Sequence, residues 1–232
     1  ALEVVEDGLK VHPKNAMLMS RKIKPLLNLA EQAVQQENDP EPFYMEALTI
    51  GQKALDIDPK QGKVMFEMAR VELQYGQYQQ RVVGNFEKAE HYFSLALDKF
   101  ITKQNNSPSM ANVLNISAIE INLYKVMLSQ NNIPAAIEYL QQSLDRRVAV
   151  LPKRAQYFDN FKDLLEEKVD LFELKTVQAE NIQSQVSGAV DLMNEVCELD
   201  GLTAEQKQFI NQLMNTYVEK NWIGSDKNIS CL

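Results

Sequence analysis

The stretch "FEKAEHYFSLALDKF" (86–100) decides the fold, because its apolar residues recur at the spacing of one helical face. On the predicted helix this face carries Ala89, Phe93, Ala96 and Leu97. Ala89 and Ala96 are small, and small side chains allow the axes of two packed helices to come close together. We therefore expect this helix to lie between other helices.

A pair of small residues seven positions apart recurs along the chain. The other pairs are Ala1/Gly8, Ala47/Ala54 and Ala136/Ser143. Pro13 and Pro59 follow the first two of these at the same offset, and a proline there ends one helix and begins the connection to the next. A motif that recurs every few tens of residues is typical of a helical solenoid.

The helices that precede these pairs share a second pattern. In 64–78, Met68 and Ala69 are followed by the predicted turn Gly76-Gln77-Tyr78. "GNF" (84–86) repeats that turn, so we interpret "QYQQRVVG" as an insertion between two helices. Related segments occur at 26–36, with Leu29 and Ala30, and at 110–132, where "NNI" replaces the turn. Together these motifs resemble the tetratricopeptide repeat.

The resemblance implies an all-α fold, a superhelix (solenoid) of antiparallel helix pairs. Residues 1–150 would form irregular tetratricopeptide-like repeats, the first of them truncated, and residues 151–232 a C-terminal helical cap. Pro25 is expected to divide the apolar stretch 16–36, because proline removes a helical hydrogen bond. Thr203 and Gln206 form the capping-box pattern that starts a helix.

Composition limits the partners and the compartment. The net charge is −8, which disfavours a nucleic-acid interface. No apolar run is long enough for a membrane span, and no signal peptide opens the sequence. Cys197 and Cys231 lie far apart and predict separate thiols, hence a cytoplasmic protein. Because the chain does not begin with Met, we expect it to be part of a longer protein.

No motif predicts catalysis, a cofactor or a metal. Neither His12 nor His91 has a second His or Cys at metal-ligand spacing. The sequence also lacks a glycine-rich phosphate loop and a G-x-S-x-G motif. We therefore expect no enzymatic activity.

The resemblance instead implies that a partner binds in the concave groove, which the first helix of each repeat lines. The predicted partner-binding residues are Lys63, Phe66, Arg70, Ile121, Asn122 and Lys125. Another repeat offers Lys24, Leu27 and Glu31. The family's carboxylate clamp is not expected, because Phe66 and Leu27 occupy slots where it requires Lys. Equally, the charges could be ordinary surface charges, with Phe66 packed against the insertion.

These observations predict a protein–protein interaction scaffold that binds a peptide or helix. By analogy of fold it would be the C-terminal part of a larger bacterial signalling or assembly protein, for example behind a response-regulator receiver domain. One alternative is a homodimer formed through the predicted apolar stripe Phe209, Ile210, Leu213 and Met214. Another is an enzyme or ligand-binding regulator on a helical scaffold.

Overall fold

The structure is a computed structural model that describes residues 2–152, 154–178, 181–223 and 231. Every regular element of these residues is helical, which confirms the all-α class. The α-helices are α1 (Leu2–Val11), α2 (Ala16–Gln35), α3 (Glu41–Ile57), α4 (Gly62–Tyr78), α5 (Phe86–Asn106), α6 (Met110–Ser129), α7 (Ile133–Val150), α8 (Phe158–Val177), α9 (Gln183–Cys197) and α10 (Ala204–Glu219). A π-helix, Gln79–Val83, follows α4, and a 3-10 turn, Ala155–Tyr157, precedes α8.

The chain forms two compact units, Ala1–Asn132 and Ile133–Leu232. The first unit contains α1 to α6, and within it each helix from α1 to α5 packs against the one that follows it. In addition, α2 packs directly against α4. α7 belongs to the second compact unit, and the boundary of the repeats at residue 150 stays a prediction.

Small residues fill the helix contacts of the first unit, as the sequence predicts. The anchor residues Ala47, Ala54, Ala89 and Ala96 are all fully buried. At Gly76 of α4 a methyl group would lie 2.7 Å from the ring of Phe93 on α5. The spacing between these helices is therefore set by positions that admit little or no side chain.

One buried ion pair joins α4 to α5 in this unit. The Lys99 Nζ donates to Glu72 Oε1 at 2.6 Å, and the Glu72 side chain is 2 % exposed. Burial raises the pKa of the Glu72 carboxyl above its ordinary value, although Lys99 acts in the opposite direction. Glu72 Oε2 has no hydrogen-bond partner among the described residues, so the pair leaves part of the carboxylate unsatisfied.

The prediction that Pro25 divides its segment is wrong. α2 runs without interruption through Pro25. The buried side chains Ile23, Leu26 and Leu27 hold both halves of the helix in the core. Their burial offsets the roughly 3 kcal/mol that a proline costs inside a helix.

The predicted turn at Gly76-Gln77-Tyr78 is also wrong, since these residues end α4 and the chain continues into the π-helix. Gly76 is needed for the close approach of Phe93 and not for a turn. The second predicted turn, "GNF", is confirmed. Gly84 has φ +73°, a left-handed conformation that glycine adopts without strain, and the Asn85 side chain caps α5.

Large aromatic side chains form much of the core of the second unit. The Phe172 ring of α8 lies edge-on to Tyr217 of α10 at 5.9 Å and to Trp222 at 5.5 Å. The predicted capping box is confirmed, because the Thr203 side chain accepts from the Gln206 N–H and Gln206 accepts from the Thr203 N–H. This reciprocal pair starts α10.

The prediction of two separate thiols is wrong, because Cys197 and Cys231 form a disulfide with a Cα–Cα distance of 5.3 Å. The Asn211 side chain of α10 holds the same position: it accepts from the Cys231 N–H at 2.9 Å and donates to the Cys231 carbonyl at 3.5 Å. The sequence separation of 34 concealed this contact. Disulfides persist in oxidising compartments, so this bond weighs against the predicted cytoplasmic location.

Candidate functional site

An open cleft lies between α2 and α4 in the first unit. Its volume is about 560 Å³. We call it the α2–α4 cleft, and the lining residues used below are Arg21, Lys24, Pro25, Asn28, Gln32, Lys63 and Glu67.

The sequence of α2 places polar residues toward the cleft and apolar residues toward the core. Arg21, Lys24, Asn28 and Gln32 recur at intervals of three or four residues and line the cleft. Ile23, Leu26 and Ala30 occupy the opposite side and are buried. The cleft is therefore the polar face of an amphipathic helix whose apolar face is already covered.

The α2–α4 cleft carries an excess of positive charge. Arg21, Lys24 and Lys63 are exposed. Within the described residues, none of these three forms an ion pair. The single carboxylate of the lining, Glu67, is neutralised by Arg70 at 3.2 Å. In a chain of net charge −8, three cations facing one cleft make a local positive potential.

Pro25 adds a backbone acceptor to the lining. Because proline has no N–H, the carbonyl of Arg21 lacks its usual helical donor. Arg21 and Pro25 both line the cleft. A hydrogen-bond acceptor of the main chain thus lies beside the cations.

The predicted residues of α4 have three different environments. Lys63 lines the cleft. Arg70 is half-buried and bound to Glu67. Phe66 lies edge-on to Phe100 of α5 at 5.7 Å, with the Lys103 Nζ 4.1 Å from its ring centre. Phe66 therefore packs against α5, and not against the inserted segment as the alternative interpretation supposed.

The predicted residues of α6 do not line the α2–α4 cleft. α6 packs against α5, whereas α4 packs against α2, α3 and α5. Asn122 is 6 % exposed, and its Nδ2 donates to the carbonyl of Ala118 in its own helix at 2.7 Å. Ile121 is half-buried and Lys125 is exposed. A partner bound in the α2–α4 cleft would thus meet Lys63 of the six predicted residues, together with Arg21 and Lys24.

Lys24 was assigned to the groove from the sequence, whereas Arg21, Asn28 and Gln32 were missed. The signal for these three was the polar stripe along one face of α2, which the expected break at Pro25 obscured. Leu27, also assigned to the groove, is 3 % exposed and belongs to the core.

The apolar stripe proposed for a homodimer is largely covered within its own unit. Ile210 is fully buried, and Leu213 and Met214 are 8 % and 4 % exposed. The fourth residue, Phe209, lies edge-on to Phe158 at 6.0 Å with the Lys162 Nζ near its ring. This packing leaves little of the stripe for a second copy.

Two further features of the described residues concern a metal site and a membrane-spanning helix. In the part of the chain that the structure describes, no three His, Cys, Asp or Glu side chains are grouped so that they could hold a metal ion. Across the same residues, none of the helices has the length and apolar character that a bilayer crossing requires.

Comparison with known proteins finds distant similarity among solved structures alone. No protein-family profile and no curated protein matches the sequence. Among solved structures, the chain is similar to "Crystal structure of BtubC (BKLC) from P. vanneervenii", with a TM-score of 0.41 and 16 % sequence identity. The alignment covers 94 % of this chain and 89 % of that one. At this TM-score the similarity carries no argument about fold or function.

Proposed function

We propose that the chain is a protein–protein interaction module of tetratricopeptide type, and that its α2–α4 cleft binds an acidic segment of a partner protein. One observation carries the proposal: Arg21, Lys24 and Lys63 project from two helices into one cleft without a carboxylate of the described residues to neutralise them. A carboxylate there would form charge-assisted hydrogen bonds, which are stronger than those between neutral groups.

The scaffold under the cleft is rigid, which favours binding of a segment that orders on contact. Ile23, Leu26, Val64 and Ala69 beneath the two helices are almost completely buried. A preformed surface loses little conformational entropy on binding, so most of this cost falls on the partner segment. The positive potential of the cleft also speeds encounter with an acidic partner.

The wider setting stays a prediction from the resemblance. A place in a larger bacterial signalling or assembly protein rests on analogy of fold alone. The predicted cytoplasmic location rests on two separate thiols, and the Cys197–Cys231 disulfide weighs against it. The covered stripe on α10 makes homodimer formation the weaker alternative. The binding proposal requires no catalytic group, cofactor or metal.

Selection from a random peptide library tests the proposal directly. The wild-type protein should enrich peptides rich in Asp and Glu, and binding should weaken as the salt concentration rises. The variant Lys24→Glu with Lys63→Glu should lose this enrichment and bind a selected acidic peptide at least about tenfold more weakly.

A matched control separates the cleft from general surface charge. Lys53 and Lys60 are exposed and do not line the cleft. The variant Lys53→Glu with Lys60→Glu changes the net charge by the same amount and should bind like the wild type. Equal enrichment by both charge-reversed variants, with helicity unchanged by circular dichroism, would contradict the proposal.

A further inference from the structure

A second cavity lies further along the same pair of helices. Its volume is about 310 Å³. Its apolar walls are Val34 of α2, Tyr44 of α3, Tyr78 of α4 and Val82 of the π-helix, and we call it the tyrosine pocket. The size suits one large apolar side chain.

The walls of the tyrosine pocket are apolar and held in place from behind. The Tyr44 and Tyr78 ring centres are 6.2 Å apart, and both rings pack on the fully buried Tyr75. The Tyr75 hydroxyl donates to the Glu41 carboxylate, which also pairs with Lys88 at 3.6 Å. This support fixes the two outer rings before any ligand arrives.

The charged side chains that line the tyrosine pocket do not favour an ionic ligand. Glu31 and Arg81 both line the pocket and carry opposite charges. Burial, reinforced by Glu31, raises the pKa of Tyr44 to about 12, so this wall is neutral at physiological pH. A neutral apolar side chain therefore matches the pocket better than an ammonium group or a carboxylate.

Val82 makes the pocket unusual, because it is 62 % exposed although it is aliphatic. It lies in the π-helix, a segment that widens the end of α4 before the turn at Gly84. Short π-helical insertions occur often at functional sites. Covering Val82 and the half-buried Tyr78 ring removes apolar surface from water, which favours binding. Tyr44 is already buried, at 4 % exposed, and serves as a fixed wall.

The tyrosine pocket and the α2–α4 cleft lie along the same two helices, α2 and α4. On α2 the cleft residue Gln32 adjoins the pocket residues Glu31 and Val34. Measured along α2 and α4, the pocket lies about 15–20 Å from Lys24 and Lys63, given the rise of about 1.5 Å per helical residue. An extended chain covers this distance in about five or six residues.

We infer that the partner segment is an extended chain with acidic residues at one end and one large apolar side chain about five or six residues away. The carboxylates bind Arg21, Lys24 and Lys63, and the apolar side chain enters the tyrosine pocket. This inference rests on the proposed function, to which it adds the composition and the spacing of the partner.

Fluorescence anisotropy with synthetic peptides tests the inference. The parent peptide carries a pair of Glu residues, a spacer of Ser and Thr, and a Trp at the inferred distance, in either chain order. Exchange of the Trp for Ser should weaken binding to the wild type about tenfold or more. Val82→Asp should weaken binding of the Trp peptide by a similar factor and leave the Ser peptide unaffected.

Val83→Asp is the matched control, since Val83 is 51 % exposed in the same π-helix but does not line the tyrosine pocket. This variant should bind the Trp peptide like the wild type. Equal losses in both variants, or a Trp exchange without effect, overturn the inference. If Lys24→Glu with Lys63→Glu still abolishes binding in that case, the acidic cleft stands without the pocket. If the charge-reversed variant binds the peptides as tightly as the wild type, both this inference and the proposed function are overturned.

Discussion

The two units of the chain differ in how their helices are held together. In the first unit, residues such as Ala47, Ala89 and Gly76 bring helix backbones close together. In the second unit, Phe172, Tyr217 and Trp222 fill much of the core, and a disulfide adds a covalent bond.

This difference has a consequence for what each unit can do. In the first unit the apolar faces of α2 and α4 are covered in the core, and their polar faces line a cleft. In the second unit α10 uses Ile210, Leu213 and Met214 for internal packing, and the disulfide adds a covalent constraint. The first unit, which carries the charged cleft, is therefore the better candidate for binding, and the unit with the disulfide for internal stability.

The largest expected effect concerns the disulfide, which should stabilise the second unit alone. The bond closes a loop with a sequence separation of 34. Cys197→Ser with Cys231→Ser should lower the free energy of unfolding of this unit by about 2–4 kcal/mol, because the unfolded chain regains entropy. Hydrogen exchange of the backbone amides measures this, and α2 to α5 serve as the internal control. Equal loss of protection in both units would show that the bond is not a local constraint.

A smaller effect compares one glycine from each unit. Gly76→Ala should destabilise the first unit by about 1–3 kcal/mol, because the added methyl group meets the buried Phe93 ring. Gly188→Ala in α9 should stabilise the second unit by about 0.5–1 kcal/mol, since no atom lies within 4 Å of the new methyl group and alanine favours the helix. Urea denaturation of both variants gives the two values. A change of the same sign in the free energy of unfolding of both variants would contradict the difference in packing around the two glycines.

The smallest expected effect is a pH dependence confined to the first unit. Burial raises the folded-state pKa of Glu72 above its unfolded-state value of about 4.3, so the folded state binds the proton more tightly. Its contribution to the free energy of unfolding is thus complete below the unfolded pKa and is lost as the pH rises through the raised value. Glu72→Gln should remove this decline, which urea denaturation across the acidic range measures. A decline of the same size in the variant would assign it to other groups.

Much of the fold follows from local sequence signals. The recurring alanines predict the buried helix contacts, Pro13 and Pro59 predict the ends of α1 and α3, and Thr203 with Gln206 predicts the start of α10. Each of these signals acts within a few residues or on one helix face. Such features can therefore be inferred from a single sequence.

The errors share one physical cause, since each depends on contacts distant in sequence. The core around Ile23 and Leu26 keeps α2 intact at Pro25. The Phe93 ring accounts for a glycine inside a helix at position 76, because it leaves no room for a side chain there. The disulfide joins residues with a sequence separation of 34, which no local pattern connects. The candidate site follows only in part from the sequence for the same reason. Lys24 and Lys63, two of the residues predicted for the groove, line the α2–α4 cleft, but the sequence does not indicate which helices pack side by side.

The proline in α2 gives the cleft one polar group that differs in kind from the others. The cations around it are screened by added salt, and each of them can be removed by a single substitution. The Arg21 carbonyl belongs to the main chain, so it keeps its acceptor strength at every pH and with any side chain at position 21. A backbone N–H of a bound peptide that donates to this carbonyl would have the same alignment whatever the peptide's sequence. The main chain of the cleft would then position the peptide, and the cations would select for its acidic side chains.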